Sequence, residues 1–239
     1  MLFRYRFIRF WMHILRLLLL VRIEVTGREN IPAKGPYLVT VNHMSVVDTP
    51  VLLLAFPVMR WRFFAGEKWR THPIYGPIMG WLGAVYINRG QPDRRALREA
   101  LDALKSGSVF GLAPEGTRSK VGYMQPAREG AAYLASRANV PILPVGIENT
   151  DRLFANALRL RPTKVVVHVG RPFSLPELSH RPKGAELEAL THYIMVHIAA
   201  QLPERYHGVY KESPALRALL AGEDPWPACL ALVGLNAAT

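Results

Sequence analysis

Three times along this chain a short apolar, β-branched run stops abruptly at a polar block. That pattern restricts the fold more than any other feature of the sequence. Tyr37-Leu38-Val39-Thr40-Val41 gives way to Asn42-His43-Met44-Ser45-Val46-Val47-Asp48, Ala84-Val85-Tyr86-Ile87 to Asn88-Arg89-Gly90, and Val109-Phe110-Gly111-Leu112-Ala113 to Pro114-Glu115-Gly116-Thr117-Arg118-Ser119. Each block sits where a buried strand should end. In a mainly parallel sheet, ligands bind in the crevice at the carboxyl ends of the strands. Three polar blocks that each follow a strand can therefore converge on one site.

The remaining pattern fits such a sheet. Besides strands near 37–42, 84–88 and 108–113, apolar runs predict strands near 61–65, 142–147 and 164–169, with helices near 45–56, 91–106, 129–138 and 184–201. Pro92-Asp93 opens the second of these helices, Ala96, Leu97, Ala100, Leu101 and Leu104 give it an apolar face, and Gly107 ends it. Pro141 and Pro144 bracket the start of the 142–147 strand. A proline removes a ladder donor, so this strand is expected at an edge or bulged. Alternating strands and helices define an α/β fold: one domain over residues 23–203 with a mostly parallel central sheet flanked by helices. An amphipathic helix over residues 1–22 precedes it, and a tail with short helical pieces, 204–239, comes after it.

Half of the 239 residues are hydrophobic, enough for a sizeable core. The net charge of +12 implies a polyanionic partner: nucleic acid, acidic lipid or a phosphorylated substrate. Recognised nucleic-acid modules are absent, and the candidate arginines are divided between the N-terminal helix and strand ends rather than gathered in one extended stripe, so a basic nucleic-acid-binding or membrane-coat protein is the rival class rather than the expectation. The single cysteine, Cys229, rules out an intrachain disulfide and fits a reducing compartment. No Cys/His spacing resembles a zinc site, and neither His-Glu-x-x-His nor Gly-x-Ser-x-Gly occurs, so no metal is expected.

The first 22 residues read as a membrane-surface helix. Their longest run free of arginine and histidine, Leu17 to Val21, is far shorter than the roughly 20 apolar residues a span requires. Arg6, Arg9, His13 and Arg16 recur at spacings of three and four, which puts them on one helical stripe. Phe10, Trp11, Ile14, Leu17 and Leu18 fill most of the remaining surface. The expectation is a helix lying in the interface with its arginines towards lipid phosphates, giving a peripheral, monotopic protein on the cytoplasmic face. The alternative is an amphipathic helix packed on the domain with its arginines in water.

His43 and Asp48 are five apart. In a regular helix such positions lie about 140° apart around the axis. The two can cooperate only if His43 lies in the strand-to-helix turn and Asp48 a turn inside the helix, with Ser45 as N-cap. An aspartate bonded to one ring nitrogen fixes the tautomer and leaves the other as a general base towards a substrate hydroxyl. No matched serine or cysteine nucleophile is present, so direct attack by that hydroxyl is the simpler scheme. Arg118 offers a planar fork of donors for phosphate, and Glu115 can orient it or accept a substrate hydroxyl. Arg89 is a second candidate phosphate ligand. Lys68, after the 61–65 strand, is a third, and reads equally as a solvated surface cation. The apolar stretch with Phe56, Met59, Trp61, Phe63 and Phe64 offers a wall for an acyl chain, although most of these residues read as ordinary core.

The blocks Asn42-His43 with Asp48, Gly83-Ala84-Val85-Tyr86-Ile87-Asn88-Arg89, Phe110 to Ser119, and Val140-Pro141-Ile142-Leu143-Pro144-Val145 resemble, in order, the four motifs of the glycerolipid acyltransferase family. The resemblance covers roughly residues 23 to 175. It implies that His43 is the base and Asp48 its orienting partner, and that Arg89, Glu115, Gly116 and Arg118 hold a glycerophosphate, with Thr117 in the same turn. It implies that the fourth block lines the site or the acyl region. It further implies acylation of 1-acyl-sn-glycerol 3-phosphate by acyl-CoA or acyl-carrier protein, with membrane lipids as partners and no other cofactor. Acylation of glycerol 3-phosphate or another lysophospholipid is the nearest alternative. Asn88 stands where the family often has an acidic residue, Ala113 where Phe is common, and Arg128-Glu129-Gly130 where Lys-x-Gly is usual.

Overall fold

The computed structural model describes residues 2–57, 60–88 and 93–235. Each apolar run forms a strand: β2 (Tyr37–Val41), β3 (Trp61–Gly66), β4 (Ala84–Ile87), β5 (Val109–Leu112), β6 (Ile142–Glu148) and β7 (Thr163–Val169). One further strand, β1 (Val21–Thr26), completes a seven-stranded sheet in the order β1-β7-β6-β2-β5-β3-β4. The block from β6 to β4 is parallel throughout. β7 runs antiparallel to β6 and parallel to β1, so a reversed pair closes one edge.

Position in the sheet explains which strands the sequence announces. β2, β5 and β6 are buried at every residue, as strands covered on both faces must be. β1 lies at the edge. Its Arg22, Glu24 and Thr26 face solvent, and only Val21, Ile23 and Val25 turn inward. Six alternating residues next to a long apolar helix carry a weak signal. Val21 and Arg22, expected within the N-terminal helix, therefore open a strand.

Helices cover both faces. On one lie α1 (Leu2–Leu18), α2 (Asp48–Ala55), α3 (Tyr75–Trp81) and α6 (Leu153–Leu158), packed on Val39, Val41, Phe63 and Val145. On the other lie α4 (Arg94–Lys105), α5 (Gly130–Ala138) and α7 (Ala185–Ala199), in one core cluster with Leu38, Phe110 and Ile142, while α8 (Pro214–Leu220) and α9 (Trp226–Leu232) pack on α7. Asp93 caps α4 by accepting the Ala96 N–H at 2.9 Å, and Ala96, Ala100 and Leu104 are its fully buried stripe. Beyond residue 203 the chain stays on the core: Ala215, Leu216, Cys229 and Leu230 are buried in the same cluster as α7.

Of the two placements expected for the 142–147 strand, at an edge or bulged, the structure shows the second. β6 lies between β7 and β2. Its ladder with β7 starts at Val145↔Val169, and a separate bridge joins Ile142 to Phe173. Two residues of β6 there face three of the neighbouring segment. Pro144 sits in this interruption, where its missing N–H leaves no ladder bond unmade, and its carbonyl still accepts from Gly170 N–H at 2.9 Å.

The N-terminal helix differs from its expected orientation. Tyr5 and Ile8 are buried against the sheet-covering layer, whereas Phe3, Phe7, Phe10, Trp11, Leu15 and Leu18 are exposed along one outward stripe. The arginine stripe does not point outward as a unit. Arg9 turns inward and donates to the carbonyl of Leu53, to that of Phe56 at 2.7 Å and to that of Leu54 at 3.1 Å. These are carbonyls at the C-terminal end of α2, which lack partners within that helix and sit at its negative pole. The Nε of Arg16 is also buried, while Arg6 is exposed. No helix among the described residues is long and apolar enough to cross a membrane.

Candidate active site

β2 delivers the first block. Asn42, fully buried, donates to the Ile147 carbonyl at 3.0 Å and accepts the Ile147 N–H at 2.7 Å, which locks the end of β2 to β6. His43 comes next, in the turn, as expected. Its Nδ1 lies 2.8 Å from Asp48 Oδ2. That same oxygen accepts the backbone N–H of Met44 at 2.8 Å and of Ser45 at 2.9 Å. The helix placement inferred from spacing needs correction: α2 begins at Asp48, with Val47 as its cap position, so Asp48 is not a turn inside and Ser45 is not the N-cap. The carboxylate bends back over its own turn because three N–H donors converge there. Asp48 Oδ1 is held separately by the Thr150 hydroxyl at 2.6 Å.

The third block locks onto the first. β5 is the immediate neighbour of β2, so its end lies about 5 Å away. Glu115 does not orient Arg118 and does not face solvent; it is only 2 % exposed. Its Oε1 accepts the His43 backbone N–H at 2.8 Å and its Oε2 the Gln125 N–H at 3.0 Å. Burial pushes its carboxyl up to about 7, against the pull of those two donors. The His43 carbonyl accepts from Ser119 N–H at 2.8 Å. Gly116 turns this loop at φ +69°, and a Cβ there would meet the Arg128 side chain at 3.0 Å. The C-terminal segment braces the same loop: Met124 N–H donates to the Tyr206 carbonyl at 2.9 Å, and Ala127 N–H to the Tyr210 hydroxyl at 3.2 Å.

Thr117 and Arg118 lie exposed in this turn, and Arg118 makes no hydrogen bond or ion pair among the described residues. Lys68 comes after β3 and is exposed, with its Nζ 5.2 Å from the Trp69 ring centroid and, among the described residues, no hydrogen bond or ion pair joining it to the His43 turn. Arg89 and Met59 lie outside the described residues. β4, whose end precedes Arg89, stands three strand spacings from β2, roughly 14 Å. Phe56, Trp61 and Phe63 are buried core: Phe56 meets Trp61 edge-to-face at 5.1 Å.

The fourth block reaches the site through the residues just beyond it, at the end of β6. Leu143 and Val145 are fully buried core, whereas Ile147 clamps Asn42 and Thr150 touches Asp48. Sequence reasoning misses Thr150. Its signal is the one the other blocks carry: it stands just past the carboxyl end of a strand beside β2.

His43 thus has one ring nitrogen engaged by a buried carboxylate and the other, Nε2, without a partner among the described residues, on a side chain 15 % exposed. This pair, between the end of β2 and the start of α2 in a mostly parallel α/β sheet, can move a proton from and to a bound hydroxyl. The chain belongs to the acyltransferase family, whose pattern matches residues 22–148. It is 28% identical over 185 residues to a 1-acyl-sn-glycerol-3-phosphate acyltransferase of Borreliella burgdorferi, covering 76% of this chain and 72% of that one. It is 32% identical over 155 residues to a protein of the same name from Saccharomyces cerevisiae, covering 61% of this chain but only about half, 49%, of the yeast protein. The crystal structure of the 1-acyl-sn-glycerophosphate acyltransferase PlsC from Thermotoga maritima superposes with a TM-score of 0.64 at 29% identity, covering 80% of this chain and 74% of that one.

Proposed function

We propose that this protein transfers a fatty acyl group from a thioester, acyl-CoA or acyl-carrier protein, to the free hydroxyl of a 1-acyl-sn-glycerol 3-phosphate. The observation that carries this reading is the His43–Asp48 pair at 2.8 Å with the His43 Nε2 left open. His43 takes the hydroxyl proton as the acceptor oxygen attacks the thioester carbonyl, and Asp48 stabilises the imidazolium that forms. The tetrahedral intermediate expels the thiolate, which receives the proton back from His43. Product ester and free thiol account for all atoms, and the scheme calls on no cofactor beyond the thioester.

Arg118, exposed at the end of the adjacent strand, is the first choice for the acceptor phosphate. Gly116 and Thr117 shape its turn. Arg89 and Lys68 come after β4 and β3 in the chain, strands further from β2, and are suited to the outer part of a bound substrate. Glu115 acts by holding the two blocks in register.

The outward Phe3–Leu18 stripe of α1 supports peripheral attachment to a bilayer, since apolar patches of this kind mark membrane or protein contacts. Both lysolipid and product are amphiphiles, so an interfacial position gives access to each. The test is an assay of the purified full chain against lysophosphatidate, other lysophospholipids and glycerol 3-phosphate, each with both thioester donors. Transfer to lysophosphatidate above all others is expected. Preference for glycerol 3-phosphate would move the assignment to that acceptor, and absence of transfer to any would overturn it.

A further inference from the structure

The buried contact between Asp48 and Thr150 extends the site beyond the four blocks. The two residues are 102 positions apart and meet through a hydroxyl–carboxylate bond of 2.6 Å, with Thr150 fully buried. That length is in the charge-assisted O–H···O⁻ range. The oxygens of Asp48 divide their partners sharply. Oδ2 takes three donors, His43 Nδ1 and the N–H groups of Met44 and Ser45, all from the adjacent turn. Oδ1 takes only Thr150 among the described residues.

Rotation of an aspartate carboxyl about its last bond is a soft, two-fold torsion with no deep well of its own. Anchorage of Oδ2 alone leaves the carboxyl plane free to swing about that point. A second anchor on Oδ1 fixes the plane, and with it the direction in which Oδ2 presents itself to the imidazole. Thr150 is suited to this because it is itself held. The preceding residue, Asn149, sits at φ +67°, donates its amide to the Lys164 carbonyl at 3.0 Å and receives the Tyr206 hydroxyl at 3.3 Å. The Thr150 carbonyl also accepts the Leu153 N–H at 3.4 Å as α6 begins.

We propose that Thr150 is a positioning residue: its hydroxyl fixes the Asp48 carboxylate, and through it the orientation of His43. It touches no substrate. Its role in turnover rests on the acyl-transfer reading, whereas its effect on the His43–Asp48 hydrogen bond does not.

The test compares Thr150→Val, which keeps shape and removes the donor, with Thr150→Ser, which keeps the donor and removes the methyl. Thr150→Ala is paired with Thr150→Ser should the valine variant not fold, because those two differ only in the hydroxyl. Two quantities are read in the full chain. One is the downfield proton resonance of the His43 Nδ1–H, assigned by its loss in His43→Ala. The other is kcat and KM for acceptor and thioester.

The expected result is a displaced or broadened resonance in Thr150→Val and Thr150→Ala and its return in Thr150→Ser. kcat should fall about tenfold to a hundredfold in the first two, the scale of a misplaced catalytic group, with both KM values near wild type. An unmoved resonance in Thr150→Val and Thr150→Ala would overturn the proposal, even with lowered thermal stability. So would equal damage in Thr150→Ser. If the wild type shows the resonance and its dependence on Thr150 but no acyl transfer, the functional reading fails and the positioning role stands.

Discussion

Glu115 sets two opposed effects against each other, and Glu115→Gln measures which wins. Its carboxyl is nearly sealed from solvent, which disfavours the charged form, while two backbone N–H groups at 2.8 and 3.0 Å favour it. Burial prevails, lifting the group from its ordinary 4.5 to about 7. The folded chain therefore holds a proton that the unfolded chain releases. Stability from this group is complete below about pH 4.5, falls as pH rises through 7, and levels off above. A difference of that size corresponds to about 3 kcal/mol. Glutamine cannot ionise, so this slope disappears in Glu115→Gln. Its amide nitrogen, however, must face one of the two N–H donors, and losing one buried acceptor costs about 1–3 kcal/mol. The variant should thus be the less stable protein at pH 5 and should equal or exceed the wild type by pH 8. Urea unfolding of both proteins at pH 5, 6, 7 and 8 reads the difference directly, and histidines common to both cancel. A difference that stays constant with pH, or that grows against glutamine as pH rises, would show that the two N–H donors outweigh burial.

Other consequences are as concrete. His43→Ala should lower acyl transfer by about 10²–10⁴-fold with an unchanged circular dichroism spectrum, and near-normal turnover would remove His43 from the mechanism. Arg118→Ala should raise KM for a phosphate-bearing acceptor by roughly one to two decades, the worth of a charge-assisted hydrogen bond, with little change for the thioester and partial recovery in Arg118→Lys; equal effects on both substrates would contradict the phosphate role. Phe7→Glu combined with Trp11→Glu, two exposed rings 6.3 Å apart on α1, should release the protein from lipid vesicles in a flotation assay while leaving thermal stability near wild type; unchanged flotation would direct attention to another surface.

The sequence alone determined much about this protein. Strands covered on both faces are predominantly apolar, so β2, β5 and β6 announced themselves, and the polar residues just past them marked the end of the sheet where a site forms. His43 and Asp48 could be paired because they are close in the chain and a turn is the only local geometry that lets them meet. Contacts outside that reach were decided by packing. Strand order places the end of β6 beside β2, which brings Thr150 to Asp48 across 102 residues and Asn42 to Ile147 across 105. The same order puts Glu115 under the His43 backbone instead of beside Arg118. On α1, Arg6 and Arg9 are the same residue type on one helical stripe, yet Arg9 turns in because the unsatisfied carbonyls at the end of α2 lie beneath it. Periodicity shows that a side chain shares a face with its neighbours; only the tertiary structure shows what that face meets, because hydrogen-bond satisfaction depends on elements far away in the chain.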